Sequence, residues 1–138
     1  MNRSLLLAVV LCFCGFAPAH AQSSSRWRVF YRSDASTIAY DTTTFTEDDE
    51  GVLSVWIQHT YPLQRSSTSG KPFDRKRTWF ELDCDNGKVN VLRIIWMLGT
   101  EVTESSDYEA LGMIEWVRPS PETELEFFLK TFCRGSDG

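Results

Sequence analysis

Positive charge and histidine are both scarce in this sequence. Its 138 residues include 14 Lys and Arg against 19 Asp and Glu, a net charge of -5 at pH 7, and only two His. This balance disfavours a nucleic acid as partner, because phosphate binding needs a basic surface. Charged residues make up 24% and aromatic residues 13% of the chain. We therefore expect a folded domain, since disordered chains combine high charge with few large apolar residues.

The motifs of common catalytic and metal sites are also missing. The sequence has no G-x-S-x-G, no C-x-x-C and no glycine-rich phosphate loop. The acidic run at 47–50 lacks the spacing of a calcium loop and is interpreted as a solvated hairpin tip. His59 is interpreted as a structural or surface residue, because no ligand or catalytic partner stands at a recognisable spacing. We predict no enzyme, no cofactor and no metal; a small hydrolase stays as an alternative if a deep pocket places His59 beside a carboxylate.

The first 21 residues have the pattern of a secretory signal peptide. Arg3 supplies a positive charge, Leu5–Cys14 is an apolar run of ten residues, and Ala19–Ala21 has the small residues that a signal peptidase reads. We predict cleavage after Ala21. Ten residues at ~1.5 Å each cover only about half of a ~30 Å hydrocarbon core, and no later run is apolar for long enough. We therefore expect no transmembrane anchor.

Lipid attachment is the other way in which an exported protein stays on a membrane. It requires a small residue before the modified cysteine, whereas Leu11 precedes Cys12 and Phe13 precedes Cys14. We expect an exported protein without a lipid, either periplasmic or secreted.

Cleavage would leave 117 of the 138 residues, with 13 basic and 19 acidic side chains and two cysteines, Cys84 and Cys133. Two cysteines in a small exported domain predict one structural disulfide. The chain-entropy model gives about 4 kcal/mol for a loop of about 50 residues. A redox-active pair is the alternative, but C-x-x-C is missing.

Alternating apolar and polar residues predict about six strands in the mature chain. We place them at 27–32, 37–41, 52–61, 76–84, 89–97 and 100–106. Pro62 is expected to end the third strand, and residues 63–74 are expected to form the longest loop. Asn86-Gly87 predicts a tight hairpin turn. Val89–Met97 is apolar on both faces, which predicts an inner strand, and the polar strand after it is expected at an edge.

The last segment changes to a helical period. Ser120 is the expected N-cap, with Pro121 at the first helical position. An apolar stripe follows at i, i+3, i+4 and i+7, formed by Leu125, Phe128, Leu129 and Phe132. A bond between Cys84 and Cys133 would attach this helix to the sheet. We predict an α+β fold, a mainly antiparallel sheet carrying one C-terminal helix, with residues 22–138 as a single domain.

Two features are candidates for an interaction surface. The first is a basic patch in and after the predicted loop, formed by Arg65, Lys71, Arg75, Lys76 and Arg77. It could engage an anionic partner, although a soluble loop protected by charge is the alternative. The second is the surplus of tryptophan, with five in the chain. Core packing is the default for these rings, but one helix covers only part of a sheet, which favours a protein partner or a homodimer.

Several separated segments, taken in order, resemble the surface-adhesin protein E family of exported bacterial proteins. They are Trp27, Tyr40-Asp41, Val55-Trp56, Gly70–Asp74, Glu81–Cys84, Glu115–Ser120 and Cys133. The resemblance implies an antiparallel sheet with a C-terminal helix, bonded cysteines and a non-enzymatic role, since the family's named member binds host extracellular-matrix and plasma proteins. This sequence departs from that member in lacking a lipidation site. A periplasmic envelope accessory that shares only the fold is the alternative.

Overall fold

A computed structural model describes residues 26–133, so the predicted signal peptide at 1–21 lies outside the described residues. One antiparallel sheet in the order β1-β2-β4-β5-β6-β7, with β3 paired to β4, carries a C-terminal helix. The elements are β1 Trp27–Arg32, β2 Thr37–Asp41, β3 Thr46–Glu47, β4 Val52–Ser66, β5 Pro72–Asp83, β6 Lys88–Leu98, β7 Glu101–Asp107 and α1 Glu124–Phe132. The α+β prediction is confirmed. The strand count was one too low, because two-residue β3 is too short for a periodic signal.

Strict alternation along β4 places the hydrophobic core on one side of the sheet. Leu53, Val55, Ile57 and His59 are buried, and the residues between them are partly exposed. Side chains on a strand point alternately to the two faces, so this pattern covers one face only. The helix packs there through Phe128, which is fully buried.

The third strand continues past Pro62, which corrects the predicted boundary and the predicted long loop. Between the pairs Thr60–Arg75 and Arg65–Phe73, four residues of β4 lie opposite one residue of β5. Proline has no N–H to donate. Pro62 is accommodated here because the regular hydrogen bonding between β4 and β5 is interrupted at this irregularity. The true connection is residues 67–71, where Gly70 has a φ of 80° that closes the turn.

The first strand also contains an irregularity. The pairing passes from Val29–Ala39 to Tyr31–Ile38, so Phe30 is an extra residue. Phe30 packs against the core, whereas Val29 and Tyr31 are exposed. Simple alternation from Trp27 to Arg32 is therefore interrupted by a bulge.

The second half of the sheet follows the predicted hairpins. Gly87, with a φ of 61°, lies in the turn between β5 and β6. Strand β6 lies between β5 and β7, which confirms an inner position, although β4 and β5 occupy the middle of the sheet. Strand β7 is an edge of the sheet, as predicted. The chain then returns along β6, where Val117 pairs with Val89.

The helix begins later than predicted. Glu122 has a φ of 63°, which interrupts any helix starting at Ser120 or Pro121. Thr123 is the N-cap, and its side chain accepts a hydrogen bond from the Glu126 N–H. None of the helices in residues 26–133 is long and apolar enough to cross a membrane.

The disulfide joins the helix to the sheet, as predicted. Cys84 follows β5 and Cys133 is the C-cap of α1, and their Cα atoms are 5.4 Å apart. The two bonded cysteines are 49 residues apart in the chain. The covalent link lowers the conformational entropy of the unfolded state, which stabilises the fold by about 4 kcal/mol.

Candidate functional site

The two faces of the sheet differ in what covers them. We call the side beneath α1 the covered face; it carries Val55, Ile57 and Phe80. We call the opposite side the open face; the strand register places Trp56 beside Trp79 and Gln58 beside Arg77 on it. These open-face side chains are only partly exposed, although within residues 26–133 no helix lies on them. The open face is therefore the candidate functional surface.

A pair of tryptophans forms the middle of the open face. Trp56 on β4 and Trp79 on β5 are directly opposite each other, with ring centroids 5.8 Å apart and planes inclined by 16°. Cross-strand aromatic pairs of this kind stabilise a sheet by roughly 0.2–1 kcal/mol. Core packing was the default expectation for the tryptophans, and these two instead form a partly exposed platform.

An arginine joins this platform to the first strand. The Arg77 guanidinium lies 4.9 Å from the centre of the Trp27 ring. Its Nε donates a hydrogen bond of 2.9 Å to Gln58 Oε1. Burial lowers the pKa of Arg77, and the neighbouring charges of Arg75 and Arg26 lower it further. Two other cations therefore lie near Arg77, and the carboxylate of Asp41 opposes their effect.

A buried carboxylate holds the second arginine of the site. Asp41 Oδ2 accepts hydrogen bonds from Arg26 Nε at 2.7 Å and from Arg26 Nη2 at 2.5 Å. Asp41 Oδ1 accepts from the backbone N–H and the hydroxyl of Thr43 at 2.9 and 2.7 Å. Burial alone would raise the pKa of Asp41, but these hydrogen bonds outweigh it and hold that pKa well below its ordinary value. Asp41 is therefore a fixed negative charge.

These residues surround a small cavity that we call the Arg77 cleft. Its volume is about 200 Å³, and its lining is Arg26, Trp27, Asp41, Trp56, Arg77 and Ile95. Five strands contribute to this lining, with Arg26 just before β1. Two cations, one carboxylate and three apolar side chains meet here. Such a site can bind a small charged group on an apolar surface.

The structure divides the predicted basic patch. Arg75 and Arg77 lie on the open face, whereas Lys76 pairs with His59 and points to the covered face. Arg65 stacks over the Tyr61 ring at 4.2 Å, towards the β4–β5 turn. Lys71 closes that turn, where its N–H donates to Ser67 Oγ. The pleat separates neighbours along a strand, so the five cations do not form one patch. Their role in binding stays a prediction.

His59 has a structural position, as interpreted from the sequence. It is 2% exposed on the covered face, and its Nε2 lies 3.1 Å from Oε2 of Glu124 in the first turn of α1. The hydrogen bond from His59 lowers the pKa of Glu124, which burial alone would raise. A carboxylate does lie beside His59, and the ring is buried beneath α1. His59 lines neither the Arg77 cleft nor the acidic cavity described next.

A second cavity lies beside the disulfide and is acidic. It measures about 500 Å³. The lining includes Glu47, Asp48, Asp49, Glu50 and Asp85. Asp48 Oδ1 accepts from the N–H groups of Glu50 and Val52, both at 2.9 Å, which is the hydrogen bonding of a hairpin turn. Among residues 26–133, no group of three His, Cys, Asp or Glu is placed to hold a metal ion. The run at 47–50 is therefore a hairpin tip.

Sequence reasoning missed three residues of the Arg77 cleft: Arg26, Asp41 and Ile95. Each belongs to a different segment, and no local spacing connects them. Residues two apart on a strand lie on the same face of the sheet. The spacing of Trp56 and Gln58, and that of Arg77 and Trp79, was therefore the available signal that aromatic and polar side chains share one face.

Comparison with known proteins agrees with the resemblance. The family model described as surface-adhesin protein E matches residues 27–134, which is most of the chain. No curated protein and no solved structure matches the chain. The matched segment contains all seven strands and the helix.

Proposed function

This chain belongs to the surface-adhesin protein E family, and from that premise we propose that it is an exported, non-enzymatic domain that binds another protein through its open face. The observation that carries this proposal is the asymmetry of the sheet. One face is sealed by α1 and its buried Phe128, whereas the other leaves Trp56, Trp79 and Arg77 partly accessible.

The composition of the open face supports a protein partner. Tryptophan and arginine are enriched among the residues that contribute most to protein–protein binding. On this face three tryptophans and two arginines lie on strands, and the hydrogen-bonded sheet fixes their positions. They are Trp27, Trp56, Trp79, Arg75 and Arg77. A rigid surface loses little conformational entropy when it binds.

The specific form of the proposal is adhesion to an extracellular-matrix protein. The test uses purified full-length mature chain on immobilised basement-membrane matrix. One variant replaces Arg75 and Arg77 with Ser, and a matched control replaces Arg28 and Arg118, two exposed arginines of which Arg28 pairs with Tyr40 on the covered side. Melting temperatures are measured first, so that binding is compared between folded proteins.

We expect the open-face variant to lose at least tenfold in affinity and the control to bind like the unaltered chain. Equal affinities of the two variants would remove the open face from the proposal. Lack of binding by the unaltered chain would overturn matrix adhesion.

Export is the second part of the proposal, and residues 1–21 carry it. Fractionation of cells expressing a C-terminally tagged chain should give a product shorter by the 21 residues of the signal. Digestion by protease on intact cells supports surface display. Protection until the outer membrane is opened would instead favour the periplasmic accessory.

A further inference from the structure

We propose that the Arg77 cleft receives an acidic side chain, Asp or Glu, from the protein partner, and that this carboxylate is the group the open face selects. This inference rests on the proposed function, because it assumes a protein partner. It adds the chemistry of the anchor and the place where it binds.

The first argument is the charge in and beside the cleft. Arg26 and Arg75 both act on Arg77, and Asp41 is the carboxylate that opposes them. Asp41 is already occupied by Arg26 and Thr43. The site therefore has an excess of positive charge that a further anion would neutralise.

The second argument is the hydrogen-bonding capacity left over on Arg77. Arg77 donates from Nε to Gln58, and within residues 26–133 its terminal nitrogens have no hydrogen bond. These nitrogens are available to an acceptor on the partner. A carboxylate can accept two parallel N–H bonds from one guanidinium, which is a strong and directional interaction.

The third argument is size. The cleft has about 200 Å³, whereas sites for free drug-sized ligands have roughly 300–1,000 Å³. A single side chain fits this space better than a cofactor does. The walls formed by Trp27, Trp56 and Ile95 would exclude water around the pair, which strengthens a charge-assisted hydrogen bond.

The fourth argument concerns orientation. Gln58 Oε1 accepts from Nε of Arg77, and the central carbon of the guanidinium lies over the Trp27 ring, 4.9 Å from its centre. The guanidinium is thereby oriented before any partner arrives. Pre-organised donors lose less entropy on binding, so the cleft favours a planar carboxylate over a spherical ion.

The test uses a defined peptide rather than an unidentified partner. The probe is a blocked nonapeptide with a central Glu flanked by Leu and Tyr, and the matched control has Gln in place of that Glu. Both are titrated into the full mature chain by calorimetry. Indole NH signals in NMR spectra report which tryptophans respond.

We expect the Glu peptide to bind at least tenfold more tightly than the Gln peptide, with shifts at Trp27 and Trp56. Arg77→Gln should abolish this difference, and Arg32→Gln, which makes the same charge change on β1, should preserve it. Equal binding of the two peptides overturns the inference, as does discrimination that survives Arg77→Gln.

Two further measurements keep the result decisive. If Arg77→Gln does not fold, the salt dependence of the unaltered chain replaces it: affinity for the Glu peptide must fall with salt more steeply than affinity for the Gln peptide. Sodium acetate is added as a competitor. Displacement by acetate at the concentration of the peptide identifies a simple anion site and overturns selection of a partner side chain.

The inference and the proposed function can fail separately. If the chain discriminates between the peptides but does not bind matrix, the carboxylate site is supported and matrix adhesion is overturned. Matrix binding without peptide discrimination keeps adhesion and removes the cleft as its anchor.

Discussion

Arg26 and Asp41 form a two-point contact between the start of β1 and the end of β2. The guanidinium donates from Nε and Nη2 to one carboxylate oxygen, while Thr43 occupies the other oxygen. The Asp41 side chain is fully buried and that of Arg26 is 58% exposed. Because the carboxylate is buried and the guanidinium faces solvent, the hydrogen bonds stabilise this ion pair more than the Coulomb attraction, which solvent and salt screen.

Replacing Asp41 with Asn should destabilise the domain. The amide keeps the shape but loses the charge that Arg26 and Thr43 both contact. Hydrogen bonds to charged groups contribute about 1.5–3 kcal/mol, so we expect a loss of about 2 kcal/mol in the free energy of unfolding, measured by urea denaturation. Asp34→Asn, in the exposed β1–β2 turn, is the control and should change little. An Asp41→Asn variant as stable as its control would contradict this account.

Glu124 should contribute to stability in a pH-dependent way. Its folded-state pKa lies below the ordinary value of 4.5, chiefly because of the hydrogen bond from His59 and secondarily because of nearby charges that include Lys76. Stability linked to a lowered carboxyl pKa is present above the ordinary pKa and is lost as the pH falls through the lowered one. Melting temperatures measured from pH 6 down to pH 3 should therefore fall less steeply for Glu124→Gln than for the unaltered chain.

Other carboxylates, Asp41 among them, also contribute to acid unfolding. Glu109→Gln, in the exposed turn after β7, is the matched control and should follow the unaltered curve. Parallel curves for Glu124→Gln and the unaltered chain would show that the His59 contact adds nothing.

Phe128 should be the most sensitive position of the helix. It is fully buried and contacts Phe80 on β5 at a centroid distance of 5.5 Å. Truncating a buried phenylalanine costs about 3–5 kcal/mol. We therefore expect Phe128→Ala to lower the free energy of unfolding by that amount in a urea titration. Phe127 is 38% exposed, so Phe127→Ala should lower it by less than half as much. Equal losses would mean that the helix is not anchored through Phe128.

Glu122 should be a position where glycine improves stability. Its φ of 63° is a left-handed conformation that side chains disfavour. Glu122→Gly relieves this strain and keeps the backbone N–H that donates to Glu126. We expect a gain of about 1 kcal/mol, seen as a higher melting temperature. Ser120→Gly, where φ is not positive, should give no gain, and a loss at Glu122→Gly would be the contrary result.

Much of the fold was predictable because its signals are local. Alternation in Val52–Tyr61 identified the buried face of β4, and Asn86-Gly87 identified a turn, since positive φ is a property of those residues themselves. The stripe through Phe128 identified the packed side of α1 for the same reason. The helix start was missed because Glu122 adopts a conformation that glutamate does not favour, and no local sequence signal marks it.

The sequence by itself determined the α+β class, the disulfide between Cys84 and Cys133 and the sealed face of the sheet. The α+β class and the sealed face follow from periodicity along short stretches, whereas the disulfide follows from a count, because Cys84 and Cys133 are the two cysteines after the predicted signal peptide. The tertiary structure decided that Arg26, Asp41 and Arg77 meet in one cleft, and that Lys76 leaves its neighbours for the other face. The reason is that strand order and register bring distant residues together, and a shift of one residue in register would turn each of these side chains to the opposite face.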